Sequence, residues 1–173
     1  MGVNVPDGRT RHDRVGVTRA WLVKSEPDVF GFDDLMRAEG RTTPWDGVRN
    51  YQARNYLRDD MRVGDVVLFY HSNADPPGVA GLAEVASEAY PDPTQFDAGS
   101  DYHDAGSDRS APRWWLVDVR ATRPLRRLVT LAEMRDDPVL AGLDLPLLRR
   151  GNRLSVMPIP VAAIARIVAL SER

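Results

Sequence analysis

Connections, more than strands, constrain what this chain can fold into. Apolar stretches with strand character lie at residues 20–24, 66–70, 79–89, 113–122 and 154–159. The run Val-Val-Leu-Phe-Tyr at 66–70 is apolar throughout, as a buried strand would be. Between these stretches lie turns and loops, not the regular helices of a parallel doubly wound sheet. Pro27 cannot continue the first strand in a sheet centre. Pro76-Pro77-Gly78 turns the chain, and 96–110 is a long acidic loop rich in Gly and Ser.

The helical segments are short. They fall at 32–38, at 51–60 behind the cap residue Asn50, at the Thr130–Glu133 capping box, within 140–148, and at 161–170 after Pro160. The pattern predicts an α+β fold, a small mixed barrel or curled sheet with short flanking helices. Val79, Gly81, Ala83 and Val85 are predicted to share one strand face, with Gly81 leaving room for a close approach. Ala53, Tyr56, Leu57 and Met61 have core spacing, as do Ile164, Ile167 and Val168. Arg54 and Arg58 share another helix face, where they meet phosphates or water.

Composition excludes several classes of function. The 173 residues suit one domain, 19–173, behind a tail at 1–18 that has no apolar periodicity and carries His12. There is no cysteine, hence no disulfide, thiolate metal site or Cys nucleophile. No run of 18 apolar residues and no apolar signal core occur, so a cytoplasmic protein without a membrane partner is expected. His103 has no second His nearby, so no metal site is expected. The net charge of −2 argues against a bulk polyanion binder and leaves room only for a local basic face. Charge is segregated: 84–108 holds seven acids and no Lys or Arg, whereas 113–153 holds nine Arg against five acids.

One stretch is chemically unusual. Residues 45–56 read Trp-Asp-Gly-Val-Arg-Asn-Tyr-Gln-Ala-Arg-Asn-Tyr. They offer rings that stack, with amides and guanidinia that hydrogen-bond two ways, the groups that read nucleobases. A helix N-terminus with an aromatic anchor accounts for the same residues. Other polar groups end predicted strands: Lys24, Ser25 and Glu26; Tyr70, His71 and Ser72; Arg153 and Ser155. His71 reads equally as a ligand donor or as a satisfied strand-end His. If these ends converge they form an aromatic and polar pocket able to hold an extruded base. Glycine-rich phosphate loops and the Gly-x-Ser-x-Gly elbow are absent. No catalytic residue and no bound cofactor is therefore expected.

Six segments in order resemble the EVE domain family. They are Trp-Leu-Val-Lys-Ser-Glu-Pro at 21–27, Trp-Asp-Gly-Val-Arg-Asn-Tyr-Gln-Ala-Arg-Asn at 45–55, Phe-Tyr-His-Ser-Asn at 69–73, Gly-Val-Ala-Gly-Leu at 78–82, Ala-Tyr-Pro-Asp-Pro-Thr-Gln-Phe at 89–96 and Arg-Leu-Ser-Val at 153–156. The resemblance implies a PUA-like curled β-barrel and a bacterial reader of modified bases in DNA or RNA, such as C5-modified cytosine. Carried onto this chain, its pocket draws on Trp21, Lys24, Ser25, Trp45, Arg49, Asn50, Tyr51, Tyr70, His71, Ser72, Arg153 and Ser155. Trp45 or Tyr70 would stack on the base. Asn50, Ser25 and Ser72 would read its edge, and Lys24, Arg49 and Arg153 would hold phosphate or a carbonyl. The expected state is a monomer. The alternatives are a PUA-like hydrolase of a nucleoside or RNA using Lys24 and Glu26, and a scaffold without a ligand. The acidic loop at 96–110 is expected to lie away from nucleic acid or to move.

Overall fold

A computed structural model describes residues 19–173. The tail expected at 1–18, with His12, lies outside the described residues. Six strands form one sheet: β1 (Ala20–Ser25), β2 (Thr42–Pro44), β3 (Val66–His71), β4 (Gly78–Val85), β7 (Asp118–Thr130) and β8 (Val156–Ile159). β5 (Tyr90–Pro91) and β6 (Trp115–Leu116) pair separately. The sheet order is β2-β7-β4-β3-β1-β8. Every neighbour pair is antiparallel except β1 with β3. The result is the expected α+β fold, a curled half-barrel with short helices.

Helices cover both faces of the sheet. On one face Trp21, Val23, Val67 and Phe69 pack against α2 (Phe32–Arg37), through Phe32 and Leu35, and against α3 (Tyr51–Asn55), through Ala53. On the other face Leu22, Leu68 and Tyr70 meet Met134, Leu140 and Ile167. Those three come from α4 (Leu131–Asp136), α5 (Pro138–Gly142) and α6 (Val161–Ser171). A strand buried on both sides has no polar face, which accounts for the unbroken apolar run at 66–70. Asp137 clamps the outer layer. Its carboxylate accepts from the Val139 and Leu140 N–H groups and from the Arg166 guanidinium, tying the α5 start to α6.

The 51–60 helix begins at its predicted cap, the Asn50 Oδ1 accepting from Ala53 N at 3.0 Å. It widens after Asn55 into a π turn, and Met61 N donates to Tyr56 O at 2.9 Å. Arg54 and Arg58 are engaged locally. Arg54 donates to Arg113 O at 2.7 Å, and Arg58 pairs with Asp59.

Two strand expectations need correction. Val79 does not share a face with Gly81, Ala83 and Val85. Tyr70 pairs with Val79 and Phe69 with Gly81, so Ala80 is an extra residue in β4. Such a bulge reverses which side chains face which way. Val79 joins the outer cluster, and Ala83 and Val85 the inner one. Gly81 then lies under the Phe32 ring, where any Cβ would collide. The 113–122 strand is also not continuous. Trp114 Nε1 donates to Asp104 at 2.7 Å, β6 pairs with β5, and the main-sheet strand runs on to Thr130. Pro124 is tolerated inside β7 because it sits opposite Gly81, beside a break in the β4–β7 ladder.

Trp21 belongs to the core and is 3% exposed. Its Nε1 donates to Asp65 Oδ2 at 2.8 Å, and Arg62 N donates to the same oxygen at 3.0 Å. Trp21→Phe leaves that buried carboxylate one donor short. Unfolding by denaturant should show a loss of about 1–3 kcal/mol with an unchanged slope.

Candidate functional site

The parallel pairing of β1 and β3 brings both strand ends to one edge of the sheet. Lys24 lies beside Tyr70 and Ser25 beside His71, and Ser72 N donates to Ser25 O at 2.9 Å. The segment entering β8 joins them, with Lys24 N donating to Ser155 O at 2.8 Å. The segment after β2 supplies the facing wall. There Trp45 N donates to Val117 O, and the Trp45 ring meets Phe69 edge-on at 5.4 Å. A short helix, α1 (Pro27–Phe30), closes one side, held by Ser25 Oγ donating to Phe30 O at 2.6 Å. Between these parts lies a cleft of about 870 Å³.

Six of the residues read from the sequence line this cleft besides Arg49: Lys24, Ser25, Trp45, Ser72, Arg153 and Ser155. The Lys24 ammonium is half-buried and donates to Asn152 O at 3.4 Å, while lying 5.9 Å from the Tyr70 ring centre. Burial lowers its pKa, because the charged form loses hydration. Arg153 is exposed at the rim, and its guanidinium has no hydrogen-bond or ion-pair partner among the described residues.

Arg49 reaches the cleft wall with its donors already engaged. Nε and Nη2 donate to Tyr102 O, Nη1 to Val48 O and Asp92 Oδ2, and Nη2 also to Thr94 Oγ1. That accounts for all five guanidinium N–H groups. Asp92 is almost wholly buried and is equally saturated. Gly47 N and Arg49 donate to one oxygen, Thr94 N and Oγ1 to the other. Hydrogen bonds from Thr94, Arg49 and Gly47 outweigh burial and hold its carboxyl below the usual range.

The acidic loop is therefore a wall of the cleft. Arg49 holds its Tyr102 carbonyl, and the Tyr102 ring fills the space where a Cβ on Gly47 would stand, 2.7 Å away. Gly47, at φ +75°, meets both requirements of that contact, having no side chain and a left-handed backbone. The loop turns part of its charge inward, with Asp104 bound to Arg113 and Trp114.

The other residues read from the sequence sit outside the cleft. Trp21 and Tyr70 are core. Asn50 caps α3. Tyr51 is 56% exposed and stacks on Trp114 at 5.0 Å, with Arg54 at 5.0 Å from its ring. His71 Nε2 accepts from Phe32 N at 3.0 Å, so it holds the first turn of α2. Sequence reasoning passed over Phe30, Asp46 and Tyr102, all of which line the cleft. Asp46 had a visible signal, its place beside Trp45. Tyr102 had none, because only the folded loop brings it there.

A family model described as EVE domain matches residues 19–170. The chain belongs to the EVE domain family. Human thymocyte nuclear protein 1 is 39% identical over 167 residues, covering 88% of this chain and 74% of that protein. Among solved structures, a Pseudomonas syringae protein superposes with a TM-score of 0.81 at 43% identity, covering 88% of this chain and 99% of that one. The structure of human THYN1 protein in complex with 5-methylcytosine containing DNA superposes with a TM-score of 0.80 at 38% identity, covering 90% and 98%. This EVE domain thus has the PUA-like architecture that the resemblance implied.

Two measurements check the site as built. Arg49→Lys replaces five directed donors with three on a flexible stem. Amide hydrogen exchange across 97–104 should rise while exchange in β1 and β3 stays slow. His71 is held neutral: burial lowers its pKa from 6.5, outweighing the attraction of Asp33 and Asp34. The unfolded chain binds the proton more readily, so stability is fully present above about pH 6.5 and falls as pH drops from there through the lowered folded value. His71→Gln keeps an acceptor for Phe32 N, and its stability measured between pH 7 and 5 should fall less.

Proposed function

We propose that this EVE domain is a non-catalytic nucleic-acid binding module that takes a modified base, such as a C5-modified cytosine, from DNA or RNA into the cleft. The observation that carries the reading is the cleft itself, which joins Trp45, 8% exposed, and Tyr102 to the cationic Lys24 and Arg153 in a fold that human THYN1 protein shares in its complex with 5-methylcytosine containing DNA. A volume of about 870 Å³ suits a nucleotide-sized ligand. Trp45 supplies the stacking surface, Ser25 and Ser72 contact the base edge, and Lys24 and Arg153 meet phosphate or a carbonyl. Asn50, His71, Tyr70, Trp21 and the Tyr51–Trp114 pair act as the frame that holds these groups. The protein works as a monomer in the cytoplasm.

The hydrolase alternative needs Lys24 and Glu26 to act on one proton. Glu26 instead accepts from Asn73 Nδ2 at 2.7 Å, and the Lys24 side chain turns to Asn152 O. No hydrogen bond joins the two groups, so nothing in the geometry favours acid–base work by them.

The test is titration of labelled oligonucleotides carrying one modified cytosine, followed by chemical analysis of the recovered ligand. Wild type should bind saturably and return the ligand intact. Trp45→Ala should weaken binding roughly 5- to 150-fold, from about 1–3 kcal/mol of stacking. Arg153→Ala, on an exposed side chain, should weaken it less and reduce the salt slope by about one. Unchanged affinity in both folded variants would rule out this cleft as the binding site.

A further inference from the structure

Three carboxylates gather around Trp45 and the turn after it, and they are not equivalent. Asp92 has four donors, as described. Asp118 accepts from the Tyr90 hydroxyl at 2.6 Å. Asp46 lines the cleft directly after Trp45; it is exposed, no other side chain donates to its carboxylate among the described residues, and its one hydrogen bond comes from its own backbone N–H. The nearby cation, Arg49, has all five donors engaged elsewhere. Partial loss of hydration and then the Asp92 charge raise the Asp46 pKa, and Arg49 and the residue's own backbone N–H offset them only in part. An exposed acceptor in the cleft wall, held only by its own backbone N–H, is open to a donor on the ligand.

Lys24 and Arg153 belong to the wall made by β1 and the approach to β8, where Glu26 also lines the cleft with its carboxylate bound to Asn73. Asp46 belongs to the opposite wall, with Gly47, Arg49 and Tyr102. Phosphate and sugar oxygens are attracted to Lys24 and Arg153 and repelled from the Asp46 carboxylate. The same field turns a bound nucleotide so that its base, not its phosphate, meets Asp46 beside the Trp45 ring. At the hydrogen-bonding edge of a base, a carboxylate accepts from an amino group and faces lone pairs at a keto oxygen.

Resting on the base-binding reading above, we propose that Asp46 is the specificity-determining residue of this cleft, selecting a base with an exocyclic amine and rejecting one with a keto group at the same position. Cytosine-type and adenine-type bases are accepted, and uracil-, thymine- and hypoxanthine-type bases are excluded. Discrimination against the keto form follows from an acceptor left facing an acceptor, which no rearrangement of the occupied Arg49 relieves.

The experiment uses matched oligonucleotides that differ in one base. 5-Methylcytosine against thymine keeps the C5 methyl and changes only the amine–keto edge. Adenine against hypoxanthine makes the same change on a purine. Wild type should prefer the amine member of at least one pair by roughly tenfold or more. Asp46→Asn keeps the side-chain size and adds a donor, so it should reduce that preference to within about threefold or invert it. Asp46→Ser should lower affinity for the amine member while leaving that for the keto member nearly unchanged. Thermal melts of both variants confirm folding. Tight binding by wild type with equal affinity across both pairs would overturn the Asp46 assignment and leave the base-binding reading standing. A preference that survives Asp46→Asn would do the same. Absence of binding to every oligonucleotide would remove the base-binding reading, and this inference with it.

Discussion

The parallel pairing of β1 with β3 is the constraint on which the rest of the structure depends. In an antiparallel sheet, neighbouring strands end at opposite edges. Here two adjacent strands end together, so Lys24-Ser25 and His71-Ser72 emerge side by side. The pairing needs both faces covered, because neither strand has a polar face. α2 and α3 cover one side and α4 to α6 the other. The cleft thus lies at the rim of the best-buried part of the molecule, where the backbone of Lys24, Ser25 and Ser72 is fixed by the ladder.

A second element, Arg49, fixes the opposite wall. Its planar fork connects three segments: the 45–50 stretch, Asp92 with Thr94, and the acidic loop at Tyr102. A lysine could not do this, having fewer donors without fixed directions. The Asp92 carboxylate is 1% exposed and would be left poorly compensated without that guanidinium. An arginine in a motif rich in base-reading side chains is here a structural rivet. Because its donors are occupied, none of them reaches the carboxylate of the nearby Asp46.

Much of the fold was legible because it is local. Apolar runs predicted β1 and β3, and cap chemistry predicted Asn50 and Thr130. Lys24, Ser25, Ser72, Arg153 and Ser155 were readable as cleft residues because polar groups at the ends of buried strands have few places to go. Trp21 and Tyr70 were not readable as core, because a motif does not show which face of a strand each residue takes. Asn50 and His71 likewise accept hydrogen bonds within the frame, a role that the same side chains could have played toward a ligand.

By itself the sequence determined the fold class, the short helices and the family, since each depends on residues close together in the chain or on their order. Tertiary structure decided the extra residue at Ala80, the division of the 113–122 segment, and the position of the acidic loop. Each of these turns on partners far apart in sequence, such as Arg49 with Tyr102, 53 positions away. The loop shows the reason most plainly. Its composition predicts avoidance of an anionic ligand, yet Asp104 is paired with Arg113 and Arg49 ties the loop to the cleft, contacts that exist only once the chain is folded.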